Sequence, residues 1–296
     1  MKKALKIDDQ ILKLKSRGMI FEDEEKAKEI LLDVGYYRLG FYSFPFEKTF
    51  PALDNRTHEL VDNTSFESVV QLYYFDNDLR RILLAALTRI EVNIRTRITY
   101  YCSTFYENNP YWFVDPQIVN SQYIQKFDNK VYKTIKDVPM IKRHHVKYPN
   151  DQYAPAWKTL EFMTLGNIVS LYQSLLDHDL QQFIAKKYGC GIGIFMNYLE
   201  TIRVIRNTCA HGACLYNISL AKGIKKGPAG QIAGTDRHNI NGAIKIISYL
   251  LKCVSENRAD DMKNNLNALF SIHKNRNIDT TRIIRLCTNF HISILC

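Results

Sequence analysis

Apolar residues recur at spacings of three, four and seven from residue 66 to about 106: Leu72, Leu79, Leu83, Ala86, Ile90, Ile94, Ile98 and Tyr101. That period lays them on one face of a single long helix, with Ser65 placed to cap its start. Arg80, Arg81, Arg89, Arg95 and Arg97 interrupt or flank this face. Upstream, Ile11, Leu12 and Leu14 predict a short helix over 8–17, stopped by Gly18. A second helix follows Phe21 with the acidic turn Glu22, Asp23, Glu24, Glu25, which suits the positive end of a helix dipole. It ends near Gly35. Residues 36–46 are too aromatic and too glycine-punctuated for a plain helix and are expected to pack against the long one. Residues 47–65 are polar and predict a loop or short hairpin.

Past the long helix, residues 107–156 carry five prolines and little periodicity, which predicts an irregular insertion with short elements. Helical periodicity resumes over 156–176, 179–188 and 193–211, with Gly189 and Gly212 as stops. A connector of Gly, Lys and Ala spans 217–238. Two further helices are expected at about 240–256 and 259–273. Strand alternation is nearly absent and no repeat is evident, so the fold class is all-α.

Composition narrows the function. A chain of 296 residues with 46 % hydrophobic and 24 % charged residues builds a normal core. Forty Lys and Arg against 30 Asp and Glu leave a formal net charge of +10, with 18 Tyr and 15 Phe beside it. Such a balance favours a polyanion, nucleic acid or an anionic membrane, although many basic proteins have no such partner. No run of 18 apolar residues is present to span a membrane. The start, MKKALKIDDQ, lacks the apolar stretch of a signal peptide. Seven cysteines (Cys102, Cys190, Cys209, Cys214, Cys253, Cys287 and Cys296) show no CxxC and no zinc spacing. A cytoplasmic protein with no membrane partner, no metal and no cofactor is expected.

The helix over 193–211 holds the most pointed chemistry. Its core stripe reads Phe195, Leu199, Ile202, position 206 and Cys209, and position 206 is arginine. A guanidinium on an apolar face needs an acidic partner, such as Glu91, or a ligand to meet. Asn207 and His211 stand four apart on one face, as do Arg203 and Asn207. His211 falls in the last turn, where the helix dipole favours imidazolium by about 0.3–2 kcal/mol. Arginine and histidine at a helix end suit RNA cleavage without a metal. The imidazole takes the proton of a 2′-hydroxyl or gives one to the leaving 5′-oxygen, and the guanidinium steadies charge on the phosphoryl oxygens. By spacing alone the ordinary reading, an ion-paired arginine and a capping histidine, is the commoner one.

The segment Arg206-Asn207-Thr208-Cys209-Ala210-His211-Gly212-Ala213-Cys214-Leu215-Tyr216-Asn217 resembles the signature of HEPN-type helical domains in the bacterial Abi (abortive infection) family. Three earlier blocks fit the same family in order. The first runs from Gly35-Tyr36-Tyr37-Arg38-Leu39 to Pro45-Phe46. The second holds Phe66-Glu67, Leu72-Tyr73, Phe75-Asp76, Leu79-Arg80 and Arg89-Ile90-Glu91. The third holds Trp157, Glu161, Gly166 and Leu171-Tyr172. The chain is thus identified as a member of the AbiD/AbiF kind. The resemblance implies a HEPN-like helical bundle over 1–217, with the insertion at about 107–156, followed by a linker and helical C-terminal extension over 218–296. It further implies a role in phage defence or a toxin–antitoxin arrangement, and RNA as the ligand. In active HEPN ribonucleases two R-x4–6-H motifs meet, so a catalytic form of this chain would be a homodimer through the HEPN surface. The catalytic set is then Arg206, His211 and Asn207. A non-catalytic complex with a small structured noncoding RNA, and a sensor of phage components acting through protein contacts, are the alternatives.

Further candidates for RNA contact are Arg38, Arg81, Arg95, Arg203 and, in the insertion, Lys142, Arg143, His144, His145 and Lys147. Cations there meet phosphates while neighbouring tyrosines stack on bases. A solvated basic loop and intrahelical salt bridges are the plain readings of the same residues. Gly223 to Gly230 lacks the GK[ST] ending of a P-loop.

Overall fold

In the computed structural model, which describes residues 3–276 and side chains as far as His273, the chain is helical with only isolated bridges between extended residues. The last 20 residues, with Cys287, Cys296 and the end of the expected C-terminal extension, lie outside the described residues. The helices are α1 (Ile7–Ser16), α2 (Glu24–Asp33), α3 (Tyr36–Ser43), α4 (Phe66–Phe105), α5 (Ser121–Phe127), α6 (Lys133–Ile135), α7 (Pro139–Lys147), α8 (Ala156–Thr159), α9 (Leu165–Gln173), α10 (His178–Lys186), α11 (Ile192–Ala210), α12 (Ile240–Lys252) and α13 (Glu256–Arg276). The all-α expectation holds. Among the described residues no helix is long and apolar enough to cross a membrane.

Two compact units share the chain. The first takes the described residues up to Ile82, Gly212–Ile218 and the described residues from Lys263 on. Its core draws Leu14 from α1, Leu31 from α2, Leu39 and Tyr42 from α3, and Phe66, Leu72, Phe75 and Leu79 from α4. The aromatic block that glycine spacing argues against forms a helix after all. Tyr36–Ser43 is helical and Phe44–Phe46 adds a 3-10 turn. Buried Leu39 and Tyr42 anchor one side of α3, and Gly40 is tolerated on its exposed side. Tertiary burial outweighs the roughly 1 kcal/mol that a helical glycine costs.

Residues 47–65 hold together around one carboxylate. Glu47 and Leu60 form an antiparallel bridge. Glu47 is buried, accepts from Arg56 Nε at 2.9 Å and Nη2 at 2.6 Å, and lies 3.0 Å from His58 Nδ1. Burial alone would raise its pKa, but the bonds and charges of Arg56 and His58 outweigh burial and hold it below the ordinary 4.5. A carboxylate whose ionised form the fold favours adds stability above that ordinary value and loses it as pH falls through its lower folded value. The urea midpoint is therefore expected to drop on acidification through this range. A Glu47→Gln variant, titrated in parallel, should start lower and drop less; an identical pH profile would contradict the assignment.

The second unit takes residues 83–211 and 219–262. The rear half of α4 supplies Leu83, Leu87, Ile90, Ile94, Ile98 and Cys102, all sealed from solvent. Against each other pack α9, α10, α11 and α12, with Tyr188 stacked on Phe195 at 4.7 Å between centroids. The 107–156 segment is more ordered than its prolines suggest. α5, a π-helical turn at Asp128–Tyr132, α6 and α7 surround a cluster of Phe113, Phe127, Tyr132 and Tyr153. Prolines sit where helices tolerate them: Pro139 opens α7 and Pro155 precedes α8.

Candidate functional site: two ion-paired clusters

α11 carries its core stripe on Phe195, Tyr198, Leu199, Ile202, Ile205 and Cys209. Position 205 thus takes the buried place that the spacing assigns to 206, and Arg206 lies one residue round, at the stripe's edge. Its side chain is 30 % exposed. Arg206 Nε donates to Glu91 Oε2 at 3.1 Å, while Arg95 Nη2 donates to Glu91 Oε1 at 2.9 Å and to the Met163 carbonyl at 3.0 Å. One nearly buried carboxylate on α4 therefore serves two guanidiniums. Glu161 reaches Arg95 Nη1 only at 4.0 Å and is 62 % exposed, so water screens it and it adds little. The cluster keeps an excess of positive charge, and Arg206 is the more exposed of its two guanidiniums.

Arg206 Nη1 also meets Asn207 Oδ1 at 3.4 Å. His211 ends α11, with its backbone N–H bonded to the Asn207 carbonyl at 3.0 Å, and its side chain is exposed. Among the described residues its ring has no hydrogen-bond partner. Gly212 follows at φ +65°, the left-handed conformation that ends a helix and that glycine adopts without a Cβ clash. Arg206 and His211 are five apart, about 140° round the helix. Asn207 stands between them: it bonds Arg206 and shares the face of His211. This helix end therefore presents a part-exposed guanidinium, an amide and an imidazole with no partner among the described residues.

The second cluster lies in the first unit, around a carboxylate that the sequence offers only as an intrahelical salt-bridge partner. Asp76 is fully buried on α4. It accepts from Arg80 Nη1, from Tyr42 Oη at 2.8 Å, from the Leu215 amide at 3.1 Å and from the Tyr216 amide at 2.6 Å. Burial pushes the Asp76 carboxyl pKa up, opposed by Arg80, Tyr42 and the two amides. Arg80 Nη1 also reaches the Ala213 carbonyl at 3.2 Å, and Arg38 Nη1 the Gly212 carbonyl at 2.8 Å. Leu215 and Tyr216 are sealed from solvent, so their amides need acceptors, and Asp76 supplies them. Cys214 lies beside Tyr42, and burial raises its thiol to about 11. That thiol is a poor nucleophile at neutral pH.

The remaining candidates divide by exposure. Lys142, Arg143 and Lys147 project from α7 into solvent, with Lys142 3.1 Å from Asp137 and Lys147 over the Tyr148 ring. His144 on the same helix is buried and paired with Asp151 at 3.0 Å, and His145 bonds Tyr132 Oη at 2.6 Å. Arg81 is exposed opposite Asp78 at 3.4 Å. Arg203 is paired with Glu200 through two bonds, at 2.9 and 2.6 Å. Arg95 is only 11 % exposed, committed to Glu91, and Arg38 is exposed but engaged with Gly212. Five of these nine residues are therefore fixed inside the protein or by a neighbour, leaving α7 as the freest basic surface.

The protein is an all-α one in which α4 supplies the carboxylate of each ion-paired cluster, Asp76 and Glu91. The chain matches the family model of the Abi-like proteins over residues 29–217, a span that includes both clusters. It belongs to the Abi-like protein family, with that family's abortive-infection role in phage defence. No curated protein and no solved structure matches it.

Proposed function

We propose that this chain is a cytoplasmic, HEPN-type abortive-infection protein of the AbiD/AbiF kind that binds RNA and, as a homodimer, cleaves it without a metal. The observation that carries the reading is the end of α11. There Arg206, bonded through Nε to Glu91, stays 30 % exposed, less than one and a half helical turns before the exposed His211. In the step proposed, His211 takes the 2′-hydroxyl proton as that oxygen attacks the adjacent phosphorus. The 5′-oxygen leaves with a proton from the second protomer's His211. The products are a 2′,3′-cyclic phosphate and a 5′-hydroxyl. Arg206 stabilises the phosphoryl oxygens as their charge grows, and Asn207 orients the guanidinium. Two protomers supply the acid and the base that one exposed imidazole cannot be at once.

Supporting the choice of RNA are the net charge of +10 and the exposed cations Lys142, Arg143 and Lys147 on α7. Binding through them releases counterions. Four phosphate contacts would weaken affinity by about 50-fold between roughly 50 and 200 mM salt for a single strand. Filter binding of a labelled RNA across this range is expected to show that slope, shallower when the three α7 cations become alanine. Affinity that ignores salt would rule the reading out.

One observation favours a second reading, a stable complex with a small noncoding RNA that serves as antitoxin. Glu91 already neutralises part of Arg206, which suits a recognition cation as well as a catalytic one. RNA of one discrete length that copurifies and stays intact would select this reading.

A further inference from the structure

The first unit contains a half-open cavity of about 210 Å³ between α1, α2, α3, the start of α4 and the 47–58 segment. Its deep wall is apolar, made by Leu14, Met19, Leu31, Leu39, Phe66 and Val69, each nearly sealed from solvent. A dry cavity of about 150 Å³ with walls of this kind admits benzene. The space here holds one ring, or a short alkyl chain, with a small polar arm.

Charge on the remaining wall is lopsided. Glu47, Arg56, His58 and Arg17 line it. Both oxygens of Glu47 are taken, by Arg56 on one side and by Arg56 and His58 on the other. Arg17 donates Nη1 to the neutral Tyr36 hydroxyl at 3.2 Å and, among the described residues, has no carboxylate partner. His58 is held at φ +63°, a conformation rare for a residue with a Cβ. Backbone outliers of this sort gather at ligand sites, where surrounding contacts maintain them. Tyr37 and Phe41, both exposed and edge to face at 5.2 Å, also line the cavity.

We propose that this cavity is a binding site for a small amphipathic acid, whose apolar body lies against Leu14, Leu39 and Phe66 and whose carboxylate meets Arg17. A neutral ligand would leave the Arg17 guanidinium without a counter-charge. A cation would face three basic side chains with the one carboxylate already engaged. An acid satisfies both walls, the apolar one by burial and the basic one by charge-assisted hydrogen bonds.

The test uses 3-phenylpropanoate as probe, with 3-phenylpropanol and 2-phenylethylamine as neutral and cationic controls, on the full chain by calorimetry and ligand-observed NMR. One saturable site is expected for the acid, with the alcohol and amine at least about tenfold weaker. Arg17→Gln should lose the preference for the acid. Gly40→Leu should block all three ligands. Gly40 lines the cavity at its open side, where a Cβ meets no atom within 4 Å and a leucine side chain would cover the entrance, and leucine favours the helix, so the fold should persist. Unshifted thermal midpoints confirm that both variants are folded before binding is read. Absence of saturable acid binding at millimolar probe, equal binding of acid, alcohol and amine, or acid binding undiminished in both variants would each overturn the proposal. The readout involves no RNA, so its failure leaves the proposed nuclease role standing, and the reverse holds too.

Discussion

Replacing Asp76 by asparagine is expected to destabilise the first unit by about 3–5 kcal/mol, the cost of stranding one partner of a buried ion pair. The amide keeps the shape, but its NH2 group meets donors: Arg80, the Tyr42 hydroxyl or the Leu215 and Tyr216 amides. Removing both charges with Asp76→Leu and Arg80→Leu together should recover only part of the loss. An apolar pair resolves the electrostatics, yet the two backbone amides remain without an acceptor, each at about 1–3 kcal/mol. Urea unfolding gives the total, and hydrogen exchange gives the location. Amides of Leu215 and Tyr216 should lose protection first, because Asp76 is the acceptor that holds them. A loss below about 1 kcal/mol, with those amides still protected, would mean that Asp76 does not organise the loop.

The second large effect concerns activity. Arg206→Ala and His211→Ala are each expected to lower RNA cleavage by about 10²–10⁴-fold and to abolish growth arrest in cells. His211 is exposed, so its alanine variant should stay within about 0.5 kcal/mol of the parent in stability. Arg206→Ala leaves Glu91 with Arg95 alone, which makes Arg206→Lys the informative companion. Lysine keeps the charge toward Glu91 but loses the planar fork that spans a carboxylate and a phosphate together. Its activity should fall close to that of the alanine variant while its melting temperature holds. Full activity in both Arg206 variants would remove this residue from the chemistry.

Most of the helical framework was legible in the sequence because long periodic segments with caps leave little choice. α4 begins where Ser65 predicts, and the Ser65 hydroxyl does accept from the Ser68 amide at 3.1 Å. The α3 helix was not legible, since its glycine and aromatic content argues locally for a loop and only burial of Leu39 and Tyr42 decides otherwise. Position 206 was misplaced by one residue on its stripe. Ile205 completes the 3-4-3-4 run from Phe195 through Tyr198 and Ile202 to Cys209, and that run was available in the sequence.

Asp76 was legible as an intrahelical partner of Arg80, four residues on, but not as the centre of a cluster. The stripe from Leu72 to Leu79 jumps seven positions, and the place between them, four after Leu72 and three before Leu79, is Asp76. A carboxylate on an apolar stripe was the strongest anomaly on the long helix. Its other partners, however, lie 34 and about 140 residues away at Tyr42, Leu215 and Tyr216, and no local pattern pairs them. The Glu91–Arg206 pair was foreseeable as the ordinary reading of a charged residue near a core. That Arg206 stays 30 % exposed, and that His211 is exposed with no ring partner among the described residues, is geometry that spacing does not carry.

The most direct test of RNA cleavage at the end of α11 is to incubate purified protein with a defined RNA in excess EDTA and map the fragment ends. Cleavage by His211 and Arg206 predicts 2′,3′-cyclic phosphate and 5′-hydroxyl ends that appear with the parent protein and vanish with His211→Ala. RNA left whole by a folded, RNA-binding dimer, or fragments that persist unchanged in the His211 variant, would contradict it.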